Sequence, residues 1–72
     1  MSKADELFKE CGYYLKETNS YFIEYTKWID FGQRCLGIMF NLDDKTFYSN
    51  DESLGMQELQ AINEKCKELG WI

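Results

Sequence analysis

The apolar residues of this chain change their spacing twice. Ala4, Leu7, Phe8 and Cys11 recur three and four residues apart, as on one face of a helix. From Tyr13 to Asn50 the period drops to two, and from Met56 the helical spacing returns with Leu59, Ile62, Cys66 and Leu69. A chain patterned in this way must build a helix, a set of strands and a second helix.

Both boundaries carry the same device. The runs KECGYY (Lys9 to Tyr14) and KELGWI (Lys67 to Ile72) share a Lys-Glu-x-Gly-aromatic order. Glycine enters the positive-φ conformation that ends a helix without a Cβ clash, and the aromatic after it can fold back on the last turn. Gly12 therefore stops the first helix with Tyr13 over Phe8, and Gly70 stops the second with Trp71 against Cys66. At the other end, Ser2 followed by Asp5 forms a capping-box-like start. The helices are expected near Ser2 to Cys11 and Met56 to Leu69, with Glu58, Gln60, Glu64, Lys65, Lys67 and Glu68 of the second left to water.

Between them, Tyr13 to Glu17 forms a short strand and Thr18-Asn19-Ser20 a turn. SYFIEYTKWI is rich in β-branched and aromatic residues, Asp30-Phe31-Gly32-Gln33 reverses the chain, and RCLGIMFNL continues it. Asp43-Asp44-Lys45 makes the last turn before TFYSN. Loops this short cannot carry parallel crossovers, so the strands pair as consecutive antiparallel hairpins. The expected fold is α+β: an antiparallel meander of three to four strands flanked by N- and C-terminal helices, in one domain spanning residues 1–72.

The strands are apolar in both registers. Tyr21, Ile23 and Tyr25 point one way and Phe22 and Trp28 the other; Leu36, Ile38 and Phe40 oppose Cys35, Gly37 and Met39. Either the helices lie on opposite faces of the sheet, or one face is left for something else. The second reading makes Phe22, Trp28, Met39 and Tyr48 an interaction surface, covered by a second copy in a homodimer or by a protein partner.

Composition narrows the function classes. Of 72 residues, 44% are hydrophobic and 17% aromatic, far from the signature of disorder. Thirteen acidic residues against eight Lys and Arg give a net charge of −5, which repels phosphates and anionic lipids, so nucleic acid is a poor partner and a basic protein surface a better one. Cys11, Cys35 and Cys66 form no C-x-x-C pair and histidine is absent, so neither a disulfide framework nor a zinc site is expected; the cysteines read as reduced, mostly buried small hydrophobes. The start MSKADELFKE lacks an apolar signal region and no run is long enough for a membrane span, from which a cytoplasmic protein is expected. The carboxylate pairs Asp43-Asp44 and Asp51-Glu52 lack the alternating ligand pattern of a calcium loop and read as turn and cap residues. With no histidine to activate a cysteine or serine and no glycine-rich phosphate loop, neither an enzyme nor a cofactor is expected.

The opening ADELFKECGY together with the ending MQELQAINEKCKELGWI resembles small proteins encoded by tailed phages and prophages of Gram-positive bacteria, over about the first 13 and last 17 residues. The resemblance implies a viral accessory protein expressed in bacterial cytoplasm and carries over no functional residues. Two readings of function result. One is a non-enzymatic module that binds and modulates a host protein, such as a defence factor with a basic surface. The other is a nucleic-acid-associated accessory protein that stacks bases on an aromatic sheet face.

Overall fold

A computed structural model describes residues 2–51 and 53–72, which leaves Met1, and the Glu52 half of the Asp51-Glu52 pair, outside the described residues. The order is α1 (Lys3–Glu10), β1 (Tyr14–Thr18), β2 (Phe22–Ile29), a 3-10 turn (Asp30–Gly32), β3 (Arg34–Asn41), β4 (Thr46–Ser49) and α2 (Met56–Glu68). The four strands form one antiparallel meander in the order β1-β2-β3-β4. The α+β architecture is the one that the change of period dictates.

The helix stops are a matched pair of Schellman motifs. At the first, the Tyr13 N–H donates to the Phe8 carbonyl at 2.9 Å and Gly12 to Lys9 at 2.9 Å, with Gly12 at φ +91°. At the second, Trp71 donates to the Cys66 carbonyl at 2.9 Å and Gly70 to Lys67 at 3.0 Å, with Gly70 at φ +77°. Tyr13 packs edge-on against Phe8 at 6.0 Å, as the sequence suggests, whereas the Trp71 ring reaches beyond Cys66 to Phe40 at 6.1 Å. A Cβ at Gly70 would meet nothing within 4 Å, so Gly70→Ala should cost only the left-handed backbone penalty, about 1 kcal/mol. At Gly12 the added Cβ also meets Lys27 Cδ at 3.0 Å, so Gly12→Ala should cost more; chemical denaturation of both variants measures the order.

Both helices lie on the same face of the sheet. Phe8 of α1 and Ala61 and Ile62 of α2 pack with Ile23 and Tyr25 of β2 and Leu36, Ile38 and Phe40 of β3, all in the register in which Ile23 faces Phe40 and Tyr25 faces Ile38. Phe8 stacks on Tyr25 with ring centroids 4.0 Å apart and meets Phe40 edge-on at 6.2 Å. The helices run antiparallel: Lys3 and Asp5 at the start of α1 pair with Glu64 and Lys65 in the second half of α2, while Cys11 at the end of α1 lies in the field of Glu58 in the first turn of α2. The Ala4 N–H donates to Glu68 at 3.1 Å, so a carboxylate of α2 satisfies a free donor in the first turn of α1, where Ser2 already accepts from Asp5.

Two expectations about side chains need correcting. Leu59 is 49% exposed and does not join the buried stripe, which is centred on Ala61 and Ile62 instead. Glu58 and Lys65 stand on the flanks of that stripe rather than in water, with side chains 16% and 13% exposed. Lys65 lays its methylenes against the core and keeps its ammonium 5.9 Å from the Tyr25 ring, 3.9 Å from Asp5 and 3.5 Å from Glu68. Glu58 accepts from the Gly55 N–H that opens α2 and pairs with Lys27 at 3.8 Å. The cysteines also differ from expectation: Cys11 and Cys66 are half-buried, but Cys35 is exposed on the face away from the helices.

Candidate interaction surface

Strand register decides which side chains share the helix-free face. Phe22 stands opposite Asn41, Trp28 opposite Cys35 and Met39 opposite Tyr48, so the four residues expected to form an interaction surface do share one face. Trp28 is 57% and Tyr48 63% exposed, while Phe22 and Met39 are half-buried among their neighbours. Among the described residues, no helix or loop joins the core from this side.

Two further residues of the face, Tyr14 and Glu17, were not legible as such. Tyr14 pairs with Thr26 and Glu17 with Glu24, which puts both on the helix-free side although they are three residues apart. Strict alternation would send them to opposite faces. A bulge at Lys16, between the Leu15–Tyr25 and Glu17–Glu24 pairs, inserts the extra residue that brings them back together. The Trp28 indole N–H then donates to the Tyr14 hydroxyl at 3.1 Å, which holds two of the exposed rings in one orientation. Between these rings and Met39 runs a low row, Thr26 and Gly37, where Thr26 is buried and a Cβ on Gly37 would stand 3.8 Å from the Glu24 carboxylate.

The ends of the face are fixed by side-chain amides. Asn19 accepts from the Tyr21 and Phe22 N–H groups at 2.7 and 3.0 Å and closes the β1–β2 turn. Asn50 replaces a missing strand residue, accepting from the Gly37 N–H at 2.8 Å and donating to the Cys35 carbonyl at 3.2 Å. The turn carboxylates are engaged locally: Asp44 accepts from the Thr46 hydroxyl and Asp51 from the Ser53 N–H. At the β2–β3 turn, Phe31 stands wholly exposed at φ +58°, and Arg34 pairs with Asp30 at 3.5 Å.

The charge on the face is one-sided. Glu17 and Glu24 sit directly opposite one another across β1 and β2, an arrangement that costs stability by repulsion. Glu17 accepts from the Asn19 side chain at 2.9 Å, but among the described residues no Lys or Arg comes within ion-pair distance of either carboxylate. Among the described residues, the six ion pairs lie on the helix side or at the β2–β3 turn.

A cleft of about 350 Å³ opens at the β1 edge of the sheet beside α1, lined by Phe8, Lys9, Tyr13, Tyr14, Leu15 and Tyr25, with Asp5 in its wall. The Asp5 carboxylate is already committed, accepting from the Tyr25 hydroxyl at 2.5 Å with Lys65 alongside. Burial first, then this hydrogen bond, holds the Tyr25 hydroxyl well above its ordinary pKa. Among the described residues, no group of three or more Cys, Asp or Glu side chains is placed to hold a metal ion. No described helix is long and apolar enough to cross a membrane. Comparison with family models, with curated proteins and with solved structures gives no match.

Proposed function

We propose that this chain is a non-enzymatic accessory protein that acts by binding another protein through the helix-free face of its sheet. In keeping with the resemblance of its two ends, it is a phage or prophage protein working in the cytoplasm of a bacterial host, where it modulates a host protein or defence factor. The observation that supports this reading most directly is the placement of both helices on one face while Phe22, Trp28, Met39 and Tyr48 share the other. Large apolar side chains left together on a helix-free sheet face of a small chain are a mark of an interface. The aromatic rings alone would also suit single-stranded nucleic acid, but such platforms work beside basic grooves, and the charge on this face has the wrong sign.

The test uses Trp28→Lys and Phe22→Lys, which place a charge on the face without touching the core. Sedimentation at micromolar concentration detects a second copy as a dimer that the lysine variants dissociate. A foreign protein is detected instead as a species captured from host cells by the wild type and lost with either variant, the chain itself remaining monomeric. If the variants alter neither association nor capture, the face is not the interface. Salt-sensitive binding of single-stranded DNA by the wild type, abolished by Trp28→Lys, would favour the nucleic-acid reading.

A further inference from the structure

We propose that the occupant of the helix-free face is an arginine-bearing segment of a partner protein, its guanidinium neutralised by Glu17 and Glu24 and stacked on the aromatic side chains beside them. The inference rests on the interface reading above and names the chemistry of the partner.

Three features of the face converge on a cation. First, two carboxylates are held opposite one another at a cost and without a counter-ion among the described residues, although those residues form six ion pairs elsewhere. Second, the pair is bordered by rings and by a soft thioether: Tyr14 on β1, Phe22 on β2, and Met39 and Tyr48 in the same cross-strand row. A cation placed there gains both an ion pair and aromatic faces, in surroundings partly screened from water, where both interactions are stronger than on an open surface. Third, Gly37 leaves a gap in the row of side chains on this face, and the Glu24 carboxylate leans over it, so a cationic group lying there meets the carboxylate directly. Arginine fits this combination better than lysine, because a planar guanidinium can stack on a ring and bond to a carboxylate at once.

The same features argue against a second copy as occupant. The paired positions of this face carry Glu17 and Glu24 but no Lys or Arg, so face-to-face dimerisation would bring four carboxylates together without a cation at any paired position. They argue equally against a polyanion.

An octa-arginine peptide serves as the probe, titrated into the wild-type chain while backbone amides and indole N–H groups are followed by NMR. Shifts should concentrate at Thr26, Gly37, Met39, Tyr48 and the Trp28 indole, and octa-lysine should bind several-fold more weakly. Glu17→Gln with Glu24→Gln should weaken binding by about tenfold or more. Asp43→Asn with Asp44→Asn removes the same two charges from the β3–β4 turn and should cost less than about twofold, as expected of a distant screened charge. Because the Gln pair relieves a repulsion, that variant should melt no lower than the wild type, which separates lost binding from lost fold. Equal weakening by the two double variants, or shifts confined to the helix side, would overturn the cation. If the cation falls while Trp28→Lys still abolishes capture, the face stands with a different partner; if Trp28→Lys has no effect either, both inferences fall.

Discussion

Phe8→Ala should remove about 3–5 kcal/mol of stability, the cost of emptying a fully packed aromatic position. Phe8 is wholly buried, stacks on Tyr25 and meets both Tyr13 and Phe40 edge-on, so this side chain of α1 touches the helix stop and both central strands. Its loss leaves Leu7 and Cys11 as apolar contacts of α1 with the core, beside the hydrogen bond from Tyr25 to Asp5, and neither side chain can fill the space. A domain of this length is expected to hold only about 4–11 kcal/mol in total. The variant should therefore be largely unfolded, or melt tens of degrees lower, when followed by circular dichroism. A loss under about 1 kcal/mol would mean that α1 is not seated on the sheet as described.

The architecture was legible because several local signals agreed. Cap, period and glycine stop coincide at Ser2 and Gly12 and again at Gly70, and the Schellman bonds at both glycines show why one short motif occurs twice. What pattern could not deliver was the rotation of α2. Leu59, Ile62, Cys66 and Leu69 satisfy helical spacing, yet the face that meets the sheet is the one bearing Ala61, whose small side chain permits close approach, with Glu58 and Lys65 on its flanks. Charged residues mask such a stripe, since their polar ends reach partners while their stems are buried. Those partners, Lys27, Asp5 and Tyr25, lie more than thirty residues away in sequence.

The candidate surface divides in the same way. Alternation put Phe22, Trp28 and Met39 on one face, but whether that face was core depended on where the helices went, and both-sided apolar strands fit either answer. The polar half of the surface depended on the Lys16 bulge, which no residue type announced; without it Glu17 would stand on the helix side and never meet Glu24. Cys35 shows the limit of residue-type reasoning from the other side. A small hydrophobe by habit, it is exposed because it stands opposite Trp28 in a register that no described helix covers.

The second large effect is expected in alkali. Burial, followed by the negative charges of Glu58 and Asp51, pushes the Tyr13 hydroxyl up to about 12, and the Tyr25 hydroxyl is raised further by burial and by its bond to Asp5. Both folded-state values lie above the ordinary 10 of an unfolded chain, so the folded state holds these protons more tightly. Their contribution to stability is complete below about pH 10 and is lost as the pH rises toward the folded values, at about 1.4 kcal/mol per pH unit for each tyrosine. By about pH 12 the two together would remove roughly 5 kcal/mol, comparable with the whole stability of a small domain. A cooperative unfolding transition between those limits should appear in circular dichroism, with tyrosinate absorbance rising in step.

Tyr13→Phe separates the two contributions. The Tyr13 hydroxyl is buried without a hydrogen-bond partner among the described residues, so its removal should leave stability at neutral pH unchanged or slightly higher while about halving the alkaline slope and moving the transition upward. Tyr25→Phe also halves the slope, but it breaks the bond to a charged acceptor and should cost about 1.5–3 kcal/mol at neutral pH. Opposite neutral-pH effects with the same alkaline effect are expected only if one ring is buried for its packing and the other also ties α1 to the sheet. Ionisation of both rings with the native circular dichroism intact would instead mean that neither hydroxyl is enclosed in solution.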